Sequence, residues 1–150
     1  MDRLTKTQRS HCMSRIKSRN TGLEKLFRAK VCGLGMKGYR LHCNLPGRPD
    51  IYFQRARLAV FVDGCFWHGC PRCYSRPATN KTFWSAKIRR NRRRDKTVNI
   101  DLQEMGIRVI RFWGHEINAS PDRCAQKMRR CLLKSPKRNS RKASLAVRCK

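Results

Sequence analysis

The sequence predicts one small α/β domain, a mixed β-sheet flanked by helices. Three observations carry this. Leu58–Val62 and Ile107–Trp113 are apolar stretches of strand length that read as buried strands. A long segment with helical spacing separates them, as a helix joining two strands of one sheet would. Finally, 150 residues of which 39% are hydrophobic supply a single core and leave too little for a second.

Taken in order, residues 7 to 18 place Cys12, Met13 and Ile16 on one side of a short helix, with Arg9, Arg15 and Lys17 elsewhere around it. Thr21-Gly22-Leu23-Glu24 reads as a capping box opening a second helix, which carries Leu23, Leu26, Phe27 and Val31 and runs out near Gly33 or Gly35. Tyr39 to Cys43 is expected as a strand. Leu45 to Pro49 is a turn, and Pro49 directs the chain into an extended path. Asp50 to Phe53 and Leu58 to Asp63 follow as strands, and the short Gln54–Arg57 link makes them an antiparallel hairpin. Gly64 to Pro77 is irregular. Thr79 or Asn80 caps a long helix reaching about Met105, with Gly106 as its stop and Phe83, Ala86, Ile88, Val98 and Leu102 facing inward. After the strand at Ile107–Trp113, residues 121 to 133 form a last helix. The order expected is α-α-β-β-β-α-β-α over residues 1–133, followed by a disordered basic tail at 134–150.

Charge narrows the function. Against 37 Lys and Arg stand 9 Asp and Glu, a net charge of +28. A chain this basic needs a polyanion, and nucleic acid is the expected one because neutralising phosphates releases counterions. An anionic membrane surface is disfavoured: no apolar run approaches the roughly 20 residues of a spanning helix, and the cations interleave with aromatics and cysteines. Met1 to Asn20 has no apolar segment of the kind a secretory signal carries. With an odd count of 9 cysteines, a reducing, cytoplasmic compartment is expected rather than a disulfide scaffold.

Three of those cysteines crowd into Cys65-x4-Cys70-x2-Cys73, the spacing of a metal-ligating loop. Tetrahedral Zn²⁺ needs a fourth ligand, and His68 within the loop competes with His115 just after the last strand. A ligand from a remote element would tie the loop to the core, as a structural site should. The expected set is therefore Cys65, Cys70, Cys73 and His115, leaving His68 free; ordinary reduced thiols are the plainer alternative. The other six cysteines are read as small buried hydrophobes or tail residues.

With so few acids, those at strand ends stand out. Asp50 opens one strand and Asp63 ends its neighbour, so adjacent strands bring two carboxylates to one sheet edge, the makings of a Mg²⁺ site. Glu24 either joins them or serves only as a helix cap. Asp95, among Arg92, Arg93, Arg94 and Lys96, either offsets their repulsion or orients a catalytic histidine. His68 is the only histidine left near this edge, able as a neutral imidazole to deprotonate a water or, once protonated, to protonate a leaving 3′-oxygen. Phe66 and Trp67 in the Gly-rich loop and Trp84 at the start of the basic helix can stack on bases, or else pack over the loop as a small core.

The stretches Leu45-Pro46-Gly47-Arg48-Pro49-Asp50, Val62-Asp63-Gly64-Cys65-Phe66-Trp67-His68-Gly69-Cys70-Pro71, and Phe83-Trp84 with Lys87-Ile88, Asn91 and Asp95 resemble the very short patch repair (Vsr) mismatch endonucleases. Arg9-Ser10, Met13, Ile16 and Thr21-x-x-Glu24 match as well, so the resemblance runs from about residue 7 to 133. It implies a restriction-endonuclease-like fold of the PD-(D/E)xK type. It also implies an enzyme, acting as a monomer, that nicks one strand of duplex DNA 5′ to the mispaired T of a T·G mismatch, with Mg²⁺ as catalytic and Zn²⁺ as structural ion. Other mismatch-repair proteins are candidate partners, and the site of action would be nucleoid-associated.

By motif, Asp50 is the metal-binding aspartate, completed by the Val62 backbone carbonyl. His68 is the catalytic histidine, Asp95 its partner and Glu24 a support. Phe66, Trp67 and Trp84 are the rings inserted beside the mismatch from the major groove. The N-terminal helix within residues 1–20 reaches across the minor groove, with Met13 as a further intercalating side chain. Family members carry His or Asp at the position of Asp63, which leaves it as a second metal carboxylate or a histidine substitute. His115 stands where others use Cys, and the third loop ligand is shifted by one residue. Two other readings are kept: a Vsr-like site-specific nuclease of the homing type, and a noncatalytic zinc-bound DNA-binding module.

Overall fold

The central strands are β1 (Ile51–Phe53), β2 (Leu58–Asp63) and β3 (Arg108–Trp113). Around them run α1 (Lys6–Ser14), α2 (Gly22–Gly33), α3 (Lys81–Glu104), α4 (Gly114–Ala119) and α5 (Pro121–Leu133). This computed structural model describes residues 5–15 and 20–134; the expected tail from 135 onward, the end of the first predicted helix at 16–18 and the Met13 side chain lie outside what is described.

The sheet has the order β1-β2-β3. The predicted hairpin forms: β1 runs antiparallel to β2 with Ile51 opposite Val60, and its turn closes through the Arg57 N–H donating to the Gln54 carbonyl at 3.1 Å. The α3 connection then brings β3 in parallel to β2, Asp63 opposite Trp113. Because β2 is central it is apolar on both faces, with Leu58, Ala59, Val60 and Phe61 all buried.

One face packs Ile51, Phe53, Leu58, Val60 and Phe112 against Phe27 and Val31 of α2, Ile117 of α4 and Met128 of α5. The other packs Tyr52, Ala59 and Phe61 against Val98 and Leu102 of α3, with Cys43, Leu45 and Ile107 closing the edge. Each such large apolar side chain contributes about 1.5–3 kcal/mol by leaving water. Among the scattered cysteines, Cys43 and Cys124 are buried as small hydrophobes, while Cys32 is exposed with its sulfur 3.0 Å from the Tyr39 hydroxyl.

Several expectations fail locally. Tyr39 to Cys43 is no strand: only Arg40 pairs, in an isolated antiparallel bridge with Tyr52. Positive φ at Gly38 (77°) and His42 (52°) bends the chain away on either side of it. Nor is Arg48 extended; it sits at φ 50° after Gly47 at φ 71°. Gly47 lies so close to α3 that a Cβ there would meet Val98 Cγ1 at 2.5 Å. Packing of this turn onto α3 thus overrides the preference of a residue that precedes proline.

Phe83 is 56% exposed and Ala86 is also outward, so the inward face of α3 begins only at Ile88. Asn80 is the N-cap, yet it adopts a left-handed conformation and its side chain makes no capping bond. The short α4 was not foreseen: it starts directly after β3, where the Glu116 carboxylate accepts from the Trp113 N–H at 2.9 Å.

Candidate active site and metal centre

A cavity of about 520 Å³ opens at the end of the sheet where β2 stops, lined among others by Glu24, Asp50, Val62, Asp63, His68 and Asp95. Those are the acids and the histidine singled out above, brought from α2, the turn before β1, the end of β2, the cysteine loop and the middle of α3. Asp50 is anchored where the turn enters the sheet: its N–H donates to the Val60 carbonyl at 3.0 Å, and its Oδ2 accepts from the Val62 N–H at 2.7 Å. Burial pushes its carboxyl up to about 6, with the neighbouring Glu24 and Asp63 charges adding to the rise; the Val62 N–H and Arg28 act against it.

Glu24 caps α2 and also lines the cavity. Its Oε2 accepts from the Asn20 N–H at 2.8 Å, its Oε1 accepts from the Thr21 hydroxyl at 2.8 Å, and Thr21 Oγ1 in turn accepts from the Glu24 N–H. Glu24 is itself buried. Asp95 does not merely offset the surrounding arginines. Its Oδ2 lies 2.6 Å from His68 Nδ1; a carboxylate only accepts, so an Nδ1 hydrogen faces it, and in the neutral ring Nε2 then carries the lone pair. Burial works to raise the Asp95 carboxyl, but the His68 hydrogen bond and charge, with Arg111, hold it below the usual range. Asp63 is almost fully buried, and both its oxygens accept from Arg111, at 2.8 and 3.0 Å.

The loop that carries His68 is fastened at both ends. The Asn91 side-chain amide donates to the Trp67 carbonyl at 2.8 Å, and Arg92 donates to the carbonyls of His68 and Gly69. Beyond it, Cys65, Cys70, Cys73 and His115 converge, their ligand atoms all within 4.8 Å of one another. His115 Nδ1 lies 3.3, 3.6 and 3.5 Å from the three sulfurs. A tetrahedral ion bound at about 2.3 Å to sulfur and 2.0–2.1 Å to nitrogen sets these atoms about 3.6 Å apart, so the quartet has the dimensions of a metal site. The His115 N–H also donates to Cys65 Sγ at 3.3 Å. Burial tends to raise the Cys70 thiol, but hydrogen bonds from the Arg72 and Cys73 backbone bring it below the usual range. The quartet brings the loop beside the start of α4.

Phe66, Trp67 and Trp84 are neither buried nor separate: Phe66 meets Trp67 at 5.2 Å and Trp84 at 5.0 Å between ring centroids. All three are half-buried, Phe83 extends the group at 5.3 Å from Trp84, and Lys87 Nζ lies 5.6 Å from the Trp67 ring centre. The opposite flank of α3 forms a larger groove of about 1050 Å³ lined by Arg76, Arg89, Arg92, Arg93 and Lys96 among others. Its charged lining residues are all cations.

The family model of the DNA mismatch endonuclease Vsr matches residues 1–74. Type II nicking enzyme V.NmeDIP of Neisseria meningitidis serogroup C is 38% identical over 134 residues, covering 88% of this chain and 90% of that protein. The DNA mismatch endonuclease Vsr of Escherichia coli K12 is 39% identical over 110 residues, 72% of this chain and 70% of that protein. The chain belongs to the Vsr family of DNA mismatch endonucleases. Type II nicking enzyme V.HpaIIP of Haemophilus parainfluenzae adds a match of 35% over 136 residues, 88% of this chain and 96% of that protein.

As a Vsr-family DNA endonuclease, the protein carries more polar machinery in its cleft than the sequence pointed to. His42 lines the same cavity, so His68 is not the only histidine at this edge; the bend at His42, invisible in a segment read as a strand, turns it there. Arg48, Arg94 and Arg111 line it too. In a chain with 37 cations no single arginine stands out, and only the alternation along β3, which sets Arg111 opposite Phe61, could have singled one out.

Proposed function

We propose that this endonuclease nicks one strand of duplex DNA 5′ to the mispaired T of a T·G mismatch. The observation that carries the reading is the His68–Asp95 pair lining one cavity with Asp50, beside a half-exposed aromatic group. Asp50, whose buried carboxyl stands at about 6, would hold Mg²⁺ together with the Val62 carbonyl, since a hard cation takes oxygen ligands. When bound, that ion supplies charge stabilisation at the scissile phosphate.

His68 Nε2 accepts the proton of the attacking water, and Asp95 steadies the imidazolium that results. Glu24 fixes the entry of α2 and adds negative charge around Asp50. Zn²⁺ suits the three thiolates and one imidazole of the second centre, with a structural task because all four positions are filled by protein.

Phe66, Trp67 and Trp84 offer faces that stack on or wedge between bases, with Lys87 above them to meet phosphate. The net charge of +28 supports binding of a polyanion, and α1 with Met13 would reach the duplex from the minor-groove side. A restriction-endonuclease-like core is supported by the carboxylates gathered at the end of a mixed sheet. Among the described residues no helix is long and apolar enough to cross a membrane; a cytoplasmic, nucleoid-associated monomer, with other mismatch-repair proteins as candidate partners, fits this reading.

The test is nick mapping on a T·G duplex and a matched duplex of the same sequence. Nicking of the T·G strand alone is expected, and Asp50→Ala should abolish it while leaving DNA binding intact. Equal cutting of both duplexes would replace this reading with a site-specific nuclease of the homing type, and retained nicking by Asp50→Ala would remove Asp50 from the metal site.

A further inference from the structure

Arg111 makes more contacts in the cleft than the nicking reaction as read so far accounts for. It enters from β3, 19% exposed at the side chain, with its guanidinium 4.3 Å over the Phe61 ring. The Nε–H donates to Asn99 Oδ1 at 3.0 Å. One nitrogen, NH1, donates to both oxygens of Asp63 at 2.8 and 3.0 Å and lies 3.7 Å from Asp95 Oδ1. The other oxygen of Asp95 holds His68 Nδ1 at 2.6 Å. Asp95 and Asn99 stand one turn apart on the same face of α3, so this arginine is gripped between two positions of that helix and the end of β2.

We infer that Arg111 is the positioning residue of the His68–Asp95 pair, with Asp63 as its anchor rather than as a second metal ligand. Asp63 lies 3.8 Å from His68 Nδ1, so two carboxylates compete for one imidazole hydrogen. Arg111 settles the competition by engaging both oxygens of Asp63, which leaves Asp95 alone at hydrogen-bond distance. It also offsets the repulsion of two acids in a poorly solvated cleft, where one unpaired charge is costly. A lysine cannot serve, because a point charge lacks the planar fork that reaches carboxylate and amide together.

The inference rests on the catalytic reading of His68, and the experiment separates the two. Single-turnover nicking of saturating T·G duplex and the Kd for that duplex are measured for Arg111→Lys and for the pair variant Asp63→Asn with Arg111→Met, which strands no buried charge. Each is repeated with His68→Ala added.

A fall in rate of about ten- to a hundredfold is expected, the usual effect of losing a group that orients a catalytic side chain. The parental Kd should be kept, and each variant combined with His68→Ala should be no slower than His68→Ala alone. A parental rate in both variants, a loss carried by Kd, or losses that multiply with that of His68→Ala would overturn the role of Arg111. An unchanged rate in His68→Ala alone would overturn the catalytic reading itself, and this inference with it.

Discussion

Asp50→Asn should make the protein more stable at neutral pH while removing its nicking activity. The buried carboxyl is displaced from the ordinary 3.8 to about 6, first by burial and then by Glu24 and Asp63. At about 1.4 kcal/mol per tenfold change in the proton equilibrium, that displacement corresponds to about 3 kcal/mol. Because the folded state binds the proton more tightly than the unfolded chain, this group costs nothing below about pH 4, where both states are protonated. Its penalty grows as pH rises through the interval between 3.8 and about 6 and is complete above it.

Asparagine has the same shape, keeps an oxygen for the Val62 N–H, and carries no charge to desolvate. In urea unfolding without added divalent cations, the variant should gain up to about 3 kcal/mol at pH 8 and little at pH 3.5. Added Mg²⁺ should shrink the difference by stabilising the parent alone. No gain at pH 8, or an equal gain at both pH values, would refute the claim that the Val62 N–H and Arg28 only partly offset the desolvation of Asp50.

Other outcomes follow from the same geometry. Purified protein should contain about one equivalent of zinc; His115→Ala should lower it, whereas His68→Ala should retain it and slow nicking, and zinc loss in the latter would mean the histidines are exchanged. Gly47→Ala should cost about 1–3 kcal/mol in thermal or urea unfolding, since its Cβ would collide with Val98 at a φ of 71°; an unchanged midpoint would show that the turn is free to move off α3. Trp84→Ala should weaken binding to a T·G duplex by about 1–3 kcal/mol if its ring stacks on a base, and unaltered affinity would leave the aromatic group with a packing role only.

How much was legible depended on the range of the interactions involved. The hairpin, the long helix and the last strand followed from apolar runs and periodicity, which are local. So did the convergence of Cys65, Cys70, Cys73 and His115, because cysteine spacing within one loop is a strong local signal and only two histidines competed for the fourth place. Asp50, His68 and Asp95 were picked out by charge scarcity and motif, and the structure gathers them around one cavity.

The failures share one cause. Arg48 takes φ 50° in a turn packed on α3, and the Tyr39–Cys43 segment, bent at Gly38 and His42, keeps only the Arg40–Tyr52 bridge of the expected strand. No local preference reveals that Gly47 meets Val98, 51 positions on. Phe83 looks like a core residue by spacing but is 56% exposed, set against the Trp84 ring and Lys87 rather than among the buried residues of the sheet.

By itself, then, the sequence determined the order of most elements, a net charge of +28 that suits a polyanion, and which acids and histidine to look for at the sheet edge. Each of these depends on residue type or on short-range spacing. Only the tertiary structure decided which partners those side chains have. Arg111 of β3 meets both oxygens of Asp63, and Asp95 could be a surface counter-charge until the loop delivers His68 to it at 2.6 Å. Hydrogen bonds and ion pairs act within a few ångströms, so the role of an acid depends on which strand and helix the fold sets beside it.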